Sequence, residues 1–158
     1  MNSKIIIVCG LLFLSPFIAK SQYKGQWRAI HAYDWSIRSN VIFGMNFTAE
    51  YFPAHYFSVV PSYTIFLPAT GKASSLDITS RYYLTERKKQ LYGLAGFRSY
   101  FSNKEFDDQG NQVDNSFQLG AGAMLKINDS LGFNPEFRYA FAPGGELILK
   151  FGVVYFIN

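Results

Sequence analysis

The sequence is short of cysteine, of charge and of long apolar runs, and each shortage closes off a class of protein. Its one cysteine is Cys9. A disulfide-stapled scaffold or a cysteine-rich metal site needs several, so neither is available. Charged residues make up 16% of the chain, against about a quarter in an ordinary soluble domain. Two histidines, His31 and His55, leave little for acid–base or metal chemistry. Beyond residue 21 no stretch offers the roughly 20 consecutive apolar residues that a membrane helix requires. No amphipathic-helix period, low-complexity tract, phosphate loop or nucleic-acid signature is present.

Aromatic residues fill the gap. They account for 18% of the chain, with 16 Phe and 11 Tyr. The N-terminal end reads as an export signal. Lys4 supplies a positive start, "IIIVCGLLFL" a short apolar region, and Ala19 and Ser21 the small residues a signal peptidase reads. The expected organisation is a signal peptide over 1–21 and one domain over 22–158. Cys9 falls within the signal, so the exported chain has no thiol and no cysteine catalysis. Setting Lys4 and Lys20 aside leaves 13 of the 15 basic residues against 11 acidic ones, too even a balance to argue for nucleic acid.

The rest of the chain alternates. Strand-like segments are expected at 27–36, 41–52, 55–67, 74–84, 90–101, 115–127, 131–142 and 146–157, separated by turn signals. Most are 10–13 residues long, close to the roughly 9–11 of a tilted transmembrane strand. In "SFQLGAGAMLKI" the residues Phe117, Leu119, Ala121, Ala123, Leu125 and Ile127 share one face, while Ser116, Gln118, Gly120, Gly122, Met124 and Lys126 share the other. In the closing "LILKFGVVYFIN", Leu147 to Ile157 taken two by two form a continuous apolar face. The first segment does not declare whether His31 or Asp34 points inward.

Alternation does not itself say which face is inside, and a soluble lipocalin-like barrel has the same period. Three features favour apolar-out. The polar set is rich in Gly, Ser, Thr and Asn, which suits the cramped lumen of a small barrel. Aromatics gather at segment ends as interfacial girdles would, at Trp35, Tyr51, Phe52, Tyr56, Phe66, Tyr92, Phe101, Phe141 and Tyr155. The last segment has nothing polar behind it and closes against the first. The fold class expected is an all-β, eight-stranded antiparallel up-and-down transmembrane barrel with a side-chain-filled interior. Its turns, on the side of the chain ends, are "FPAH", "TERKKQ" and "NDS". The outer loops are "SIRSN", "LPATGKA", the long segment 102–115 and "APGGE".

The stretches "YGLAGFRSYF", "FQLGAGAMLKI" and "PEFRYAF" give the chain its resemblance to the small outer-membrane β-barrel proteins of the OmpA/OmpX type, and among these to those of Bacteroidota. The resemblance implies residence in the outer membrane of a Gram-negative cell. It implies contact with outer-membrane lipid, and recognition of the C-terminal strand by the barrel insertion machinery. Barrels of this type often end in Phe, whereas here Ile157 and Asn158 follow Phe156.

Inside such a barrel lie the acids Glu50, Asp77 and Glu136 and the bases Arg81, Arg98, Lys126, Arg138 and Lys150. Charges in a low-dielectric lumen must be paired, so the sequence predicts an ion-pair network that plugs the barrel. A catalytic reading fares poorly. His55 falls in a turn, and strand geometry does not bring His31 to Ser36 or Ser39, although a nucleophile needs its base within about 3 Å. The acidic loop tip "DDQGNQVD" lacks the spacing of a calcium loop, and Arg87-Lys88-Lys89 reads as a solvated basic turn. No cofactor or metal is expected. The functional expectation is a non-catalytic structural, anchoring or binding role in the envelope. Two alternatives stand beside it: an accessory subunit of an outer-membrane secretion or insertion complex, and a narrow pore or carrier for small hydrophobic molecules.

Overall fold

A computed structural model describes residues 24–38, 40–68, 71–86, 88–103 and 111–157. The expected signal peptide and Cys9 lie outside them. Eight strands follow in order: β1 (Trp27–Ile37), β2 (Val41–Ala54), β3 (Phe57–Leu67), β4 (Lys72–Tyr83), β5 (Lys89–Asn103), β6 (Asn111–Lys126), β7 (Leu131–Ala140) and β8 (Glu146–Ile157). Each pairs with its sequence neighbours, and β8 pairs with β1, so the sheet closes and no edge is left unpaired. Every pairing is antiparallel.

The ladder fixes the barrel's pitch. From Trp27 the partners run through Tyr51, Val59, Ser80, Ala95, Leu119, Tyr139 and Leu147, and return to β1 at Ile37, ten positions along. Eight strands with a stagger of ten residues tilt by about 40° and leave a lumen just wide enough for side chains.

Burial follows the two-residue period of the sequence. On β4, Ala73, Ser75, Asp77, Thr79, Arg81 and Tyr83 are buried, and Leu76, Ile78 and Tyr82 are exposed. On β8, Ile148, Lys150, Gly152 and Val154 point inward, while Phe151, Val153, Tyr155 and Ile157 point out. The outer wall is therefore apolar and the lumen polar.

Three details depart from the sequence reading. Strands β5 and β6 run on to Asn103 and Asn111, which are ladder partners. Residues 102–103 and 111–115, expected in the outer loop, are therefore strand, and residues 104–110 lie outside the described residues. Polar residues such as Ser102, Gln112 and Asp114 keep the pairing going past the apolar part of the wall. Second, β2 continues through Pro53 to Ala54, with the register slipping between Tyr51 and Ala54. His55 and Tyr56 make the turn, Tyr56 in the left-handed region at φ 61°. Third, three residues assigned to the aromatic girdles are inside. Phe52, Phe66 and Tyr92 are buried, because each occupies an inward position of its strand and its ring fills an end of the lumen.

Pro135 sits within β7, where a residue without an N–H should weaken the ladder. The β6–β7 pairing skips from Gly122↔Glu136 to Leu125↔Phe133 at this point. The Ala123 carbonyl accepts instead from the Asn134 side-chain amide at 2.9 Å.

Candidate functional site

The lumen is where this chain concentrates its buried ionisable groups. Of the residues expected there, Glu50, Asp77, Arg81, Arg98, Glu136, Arg138 and Lys150 are buried and point inward. Lys126 does not join them. It ends β6, its side chain is about a third exposed, and it pairs with Asp129 at 3.0 Å. The inward period carries Lys126 to the rim, where water is within reach of a flexible lysine.

Three further charges belong to the lumen and were not singled out from the sequence. Arg28, Asp34 and Glu146 are all buried. Asp34 resolves the ambiguity of the first strand: Arg28, Ile30, Ala32, Asp34 and Ser36 form its inner row and His31 belongs to its outer one. The sequence hid this because β1 carries polar residues on both faces. Glu146 opens β8 directly after the "APGG" turn and looked like a loop residue.

Among the described residues the buried lumen thus holds five acids (Asp34, Glu50, Asp77, Glu136, Glu146) and five bases (Arg28, Arg81, Arg98, Arg138, Lys150). They form one connected column. At the turn end, Arg28 faces Glu50 at 3.7 Å and lies over the Phe52 ring at 4.4 Å. Glu50 accepts from Ser58 (2.6 Å) and Tyr83 (2.7 Å) and meets Arg81 at 3.5 Å. Arg81 reaches Glu136 at 2.5 Å and covers the Tyr92 ring at 4.6 Å. Glu136 also accepts from Tyr92 (2.6 Å) and pairs with Arg138 Nε (2.8 Å). Arg138 in turn faces Asp34 at 3.7 Å and Asp77 at 3.5 Å. Arg98 closes the column at the loop end, between Asp77 (3.6 Å) and Glu146 (2.7 Å), with Ser36 also donating to Glu146. Lys150 donates to Thr48 at 3.2 Å, and its ladder partners are Asp34 and Glu136.

Apolar side chains interleave with this column in the turn half of the lumen. Ile30, Ala32, Phe52, Tyr83, Tyr92, Leu94, Met124 and Val154 form one buried cluster, with Tyr56 and Phe156 packed against it. Gly122 makes the space. A Cβ there would overlap the Tyr92 ring and hydroxyl.

These features match a known architecture. Solved structures similar to this chain include the N-terminal β-barrel domain of OprF from Pseudomonas aeruginosa. It has a TM-score of 0.73 at 14% identity, covering 86% of this chain and 100% of that one. Neisserial surface protein A follows at 0.62 and 16%, covering 82% and 95%. The attachment invasion locus protein Ail of Yersinia pestis stands at 0.57 and 16%, covering 85% and 99%. The fold is that of the small eight-stranded outer-membrane β-barrels. Similarity at these identities concerns architecture, and these three neighbours come from Pseudomonas, Neisseria and Yersinia rather than from Bacteroidota. No protein-family model matches the sequence, and no curated protein does.

In this barrel the two histidines lie apart, one on the outer wall and one in a turn. His31 is on the outer wall against Tyr33 and Phe47, while Ser36, five positions on, is in the lumen. An odd spacing on a strand always separates two side chains this way. His55 lies in the β2–β3 turn, 3.1 Å from Glu86 and packed edge-on against Tyr56. Arg87, Ser39 and the loop residues Lys104, Glu105, Asp107 and Asp108 lie outside the described residues. Among those described, no three His, Cys, Asp or Glu side chains converge as a metal site.

Proposed function

We propose that this chain is an outer-membrane protein of the cell envelope that works as a closed, non-catalytic barrel. Its wall and outer loops, not a pore, carry its role in anchoring or binding. The observation that supports this most directly is the filled lumen: five acids matched by five bases, with a buried apolar cluster packed among them. An ion crossing it would have to displace buried carboxylate–guanidinium pairs, each costing several kcal/mol to strip.

The outer wall supports the membrane setting. Trp27, Tyr51, Tyr82 and Tyr155 expose their rings near the turn end, and Phe101, Tyr139 and Phe141 near the loop end. Two aromatic bands flanking an apolar belt are what lipid interfaces select.

Reconstitution in planar bilayers is the test. The closed barrel shows no steady conductance, and a reproducible single-channel step would instead establish the narrow pore. Mild-detergent purification separates the remaining alternative, because an accessory subunit of a secretion or insertion complex brings a stoichiometric partner with it.

A further inference from the structure

The barrel surface is concave at the loop ends of β3 to β6, where a groove of about 680 Å³ runs along it. Ile65, Ser74, Phe101 and Val113 line it and are successive ladder partners. Ile65 and Phe101 therefore stand two strand spacings apart, about 10 Å, and the small Ser74 between them forms the floor. The groove changes character along its length. Tyr63, which pairs with Leu76, lines the end nearer the middle of the barrel. Lys72, four positions from Leu76 and so about 13 Å along β4, lines the end nearer the loops. Lys72 is exposed. The described acids at this end are engaged elsewhere, Asp114 with Arg38 and Glu146 with Arg98.

Resting on the membrane reading above, we infer that this groove holds a phospholipid whose headgroup carries a net negative charge. The phosphate meets Lys72, and an acyl chain lies over Ser74 between Ile65 and Phe101. The order of polarity along the groove is the argument. Phe101 belongs to the loop-end aromatic band, which sits at headgroup level in that setting. The groove then crosses the interface, with apolar walls toward the acyl chains and an ammonium toward the phosphates. That is the layout of one lipid in the loop-side leaflet. Lipid covers any wall in a bilayer; what the groove adds is a choice among lipids. An ammonium has three donors and no acceptor, so it favours an anion. A zwitterionic headgroup brings a cation of its own, which offsets that gain.

The experiment uses the full chain purified from membranes into detergent micelles, with the heat-dependent gel shift recorded for every variant. Equal amounts of dioleoylphosphatidylglycerol and dioleoylphosphatidylcholine are added, and native mass spectrometry counts the lipids retained. The expected result is one phosphatidylglycerol held in preference to phosphatidylcholine. Lys72→Gln should lower that preference about five-fold, the effect of one cation at an anionic membrane surface. Lys89→Gln, at the turn end, should leave it in place. Ser74→Trp fills the floor and should reduce phosphatidylglycerol retention with Lys72 still present. Equal retention of the two lipids by a barrel that shifts on heating overturns the inference and leaves the membrane reading intact. So do equal losses from Lys72→Gln and Lys89→Gln, or undiminished retention by Ser74→Trp. Release by inorganic phosphate, but not by chloride at equal ionic strength, would make the ligand a free phosphate and also overturns it. A chain that neither pellets with membranes nor shifts on heating overturns both.

Discussion

Arg81 and Arg138 both reach Glu136, from β4 and from β7 itself, and Tyr92 donates to it as well. Replacing Glu136 by Leu would leave two buried guanidiniums without their nearest carboxylate. The expected loss is about 3–5 kcal/mol, the usual result of breaking a buried pair from one side. It is measured as a lower urea midpoint for the barrel folded into lipid vesicles. Lys126→Ala serves as the contrast and should leave that midpoint in place, since exposed pairs contribute little. Gly122 offers a steric test. Gly122→Ala pushes a methyl against Tyr92 and should cost about 1–3 kcal/mol by overpacking. The hydroxyl is the nearest atom, so the same substitution in a Tyr92→Phe background should cost measurably less. A double-mutant cycle reads that difference directly.

At the level of the strands, the seam between β1 and β8 is the closing contact. It pairs eleven positions, from Trp27↔Ile157 to Ile37↔Leu147. Truncation after Lys150 removes more than half of that seam and leaves an open edge in lipid, where unpaired backbone groups find no water. Such a chain should fail to show a boiling-dependent gel shift. How legible the strands were depended on how cleanly each one sorted its residues. Strands β4, β6 and β8 declare their inner face through strict alternation, and Glu50, Asp77, Arg81, Arg98, Glu136, Arg138 and Lys150 could be placed from the sequence. Strand β1 could not be read this way, because His31 outside and Asp34 inside are both polar. Arg28 and Asp34 were lost with it. Phe52, Phe66 and Tyr92 misled for the opposite reason. An aromatic residue at a strand end looks the same in sequence whether it meets a lipid headgroup or caps the lumen. Only the register separates the two.

For the whole barrel, the two ends differ in kind. The turn end packs aromatic rings around the buried Arg28–Glu50 pair, while the loop end is tied by polar contacts, such as Arg38 to Asp114 at 3.6 Å and to the Pro143 carbonyl. If the chain lies in the membrane with its turns inward, one cysteine at each end reports the orientation. In a Cys9→Ser chain, Pro143→Cys should react with a membrane-impermeant thiol reagent on intact cells. Ser130→Cys should react only after the cells are broken. Labelling of both on intact cells would sink the proposed orientation.

The balance of charge in the lumen also constrains how such a barrel can assemble. Taken hairpin by hairpin, β1–β2 contributes Arg28, Asp34 and Glu50 and is short of one positive charge. The hairpin β5–β6 contributes Arg98 alone and carries the missing one. The other two hairpins are balanced: β3–β4 by Asp77 and Arg81, and β7–β8 by two acids and two bases. In the membrane setting proposed above, no sequential entry of finished hairpins keeps the lipid free of uncompensated charge at every step. Neutrality arrives only when β1–β2 and β5–β6, on opposite sides of the cylinder, share one interior. Insertion and closure are then a single cooperative event, and a chain arrested halfway has no stable resting place in the bilayer.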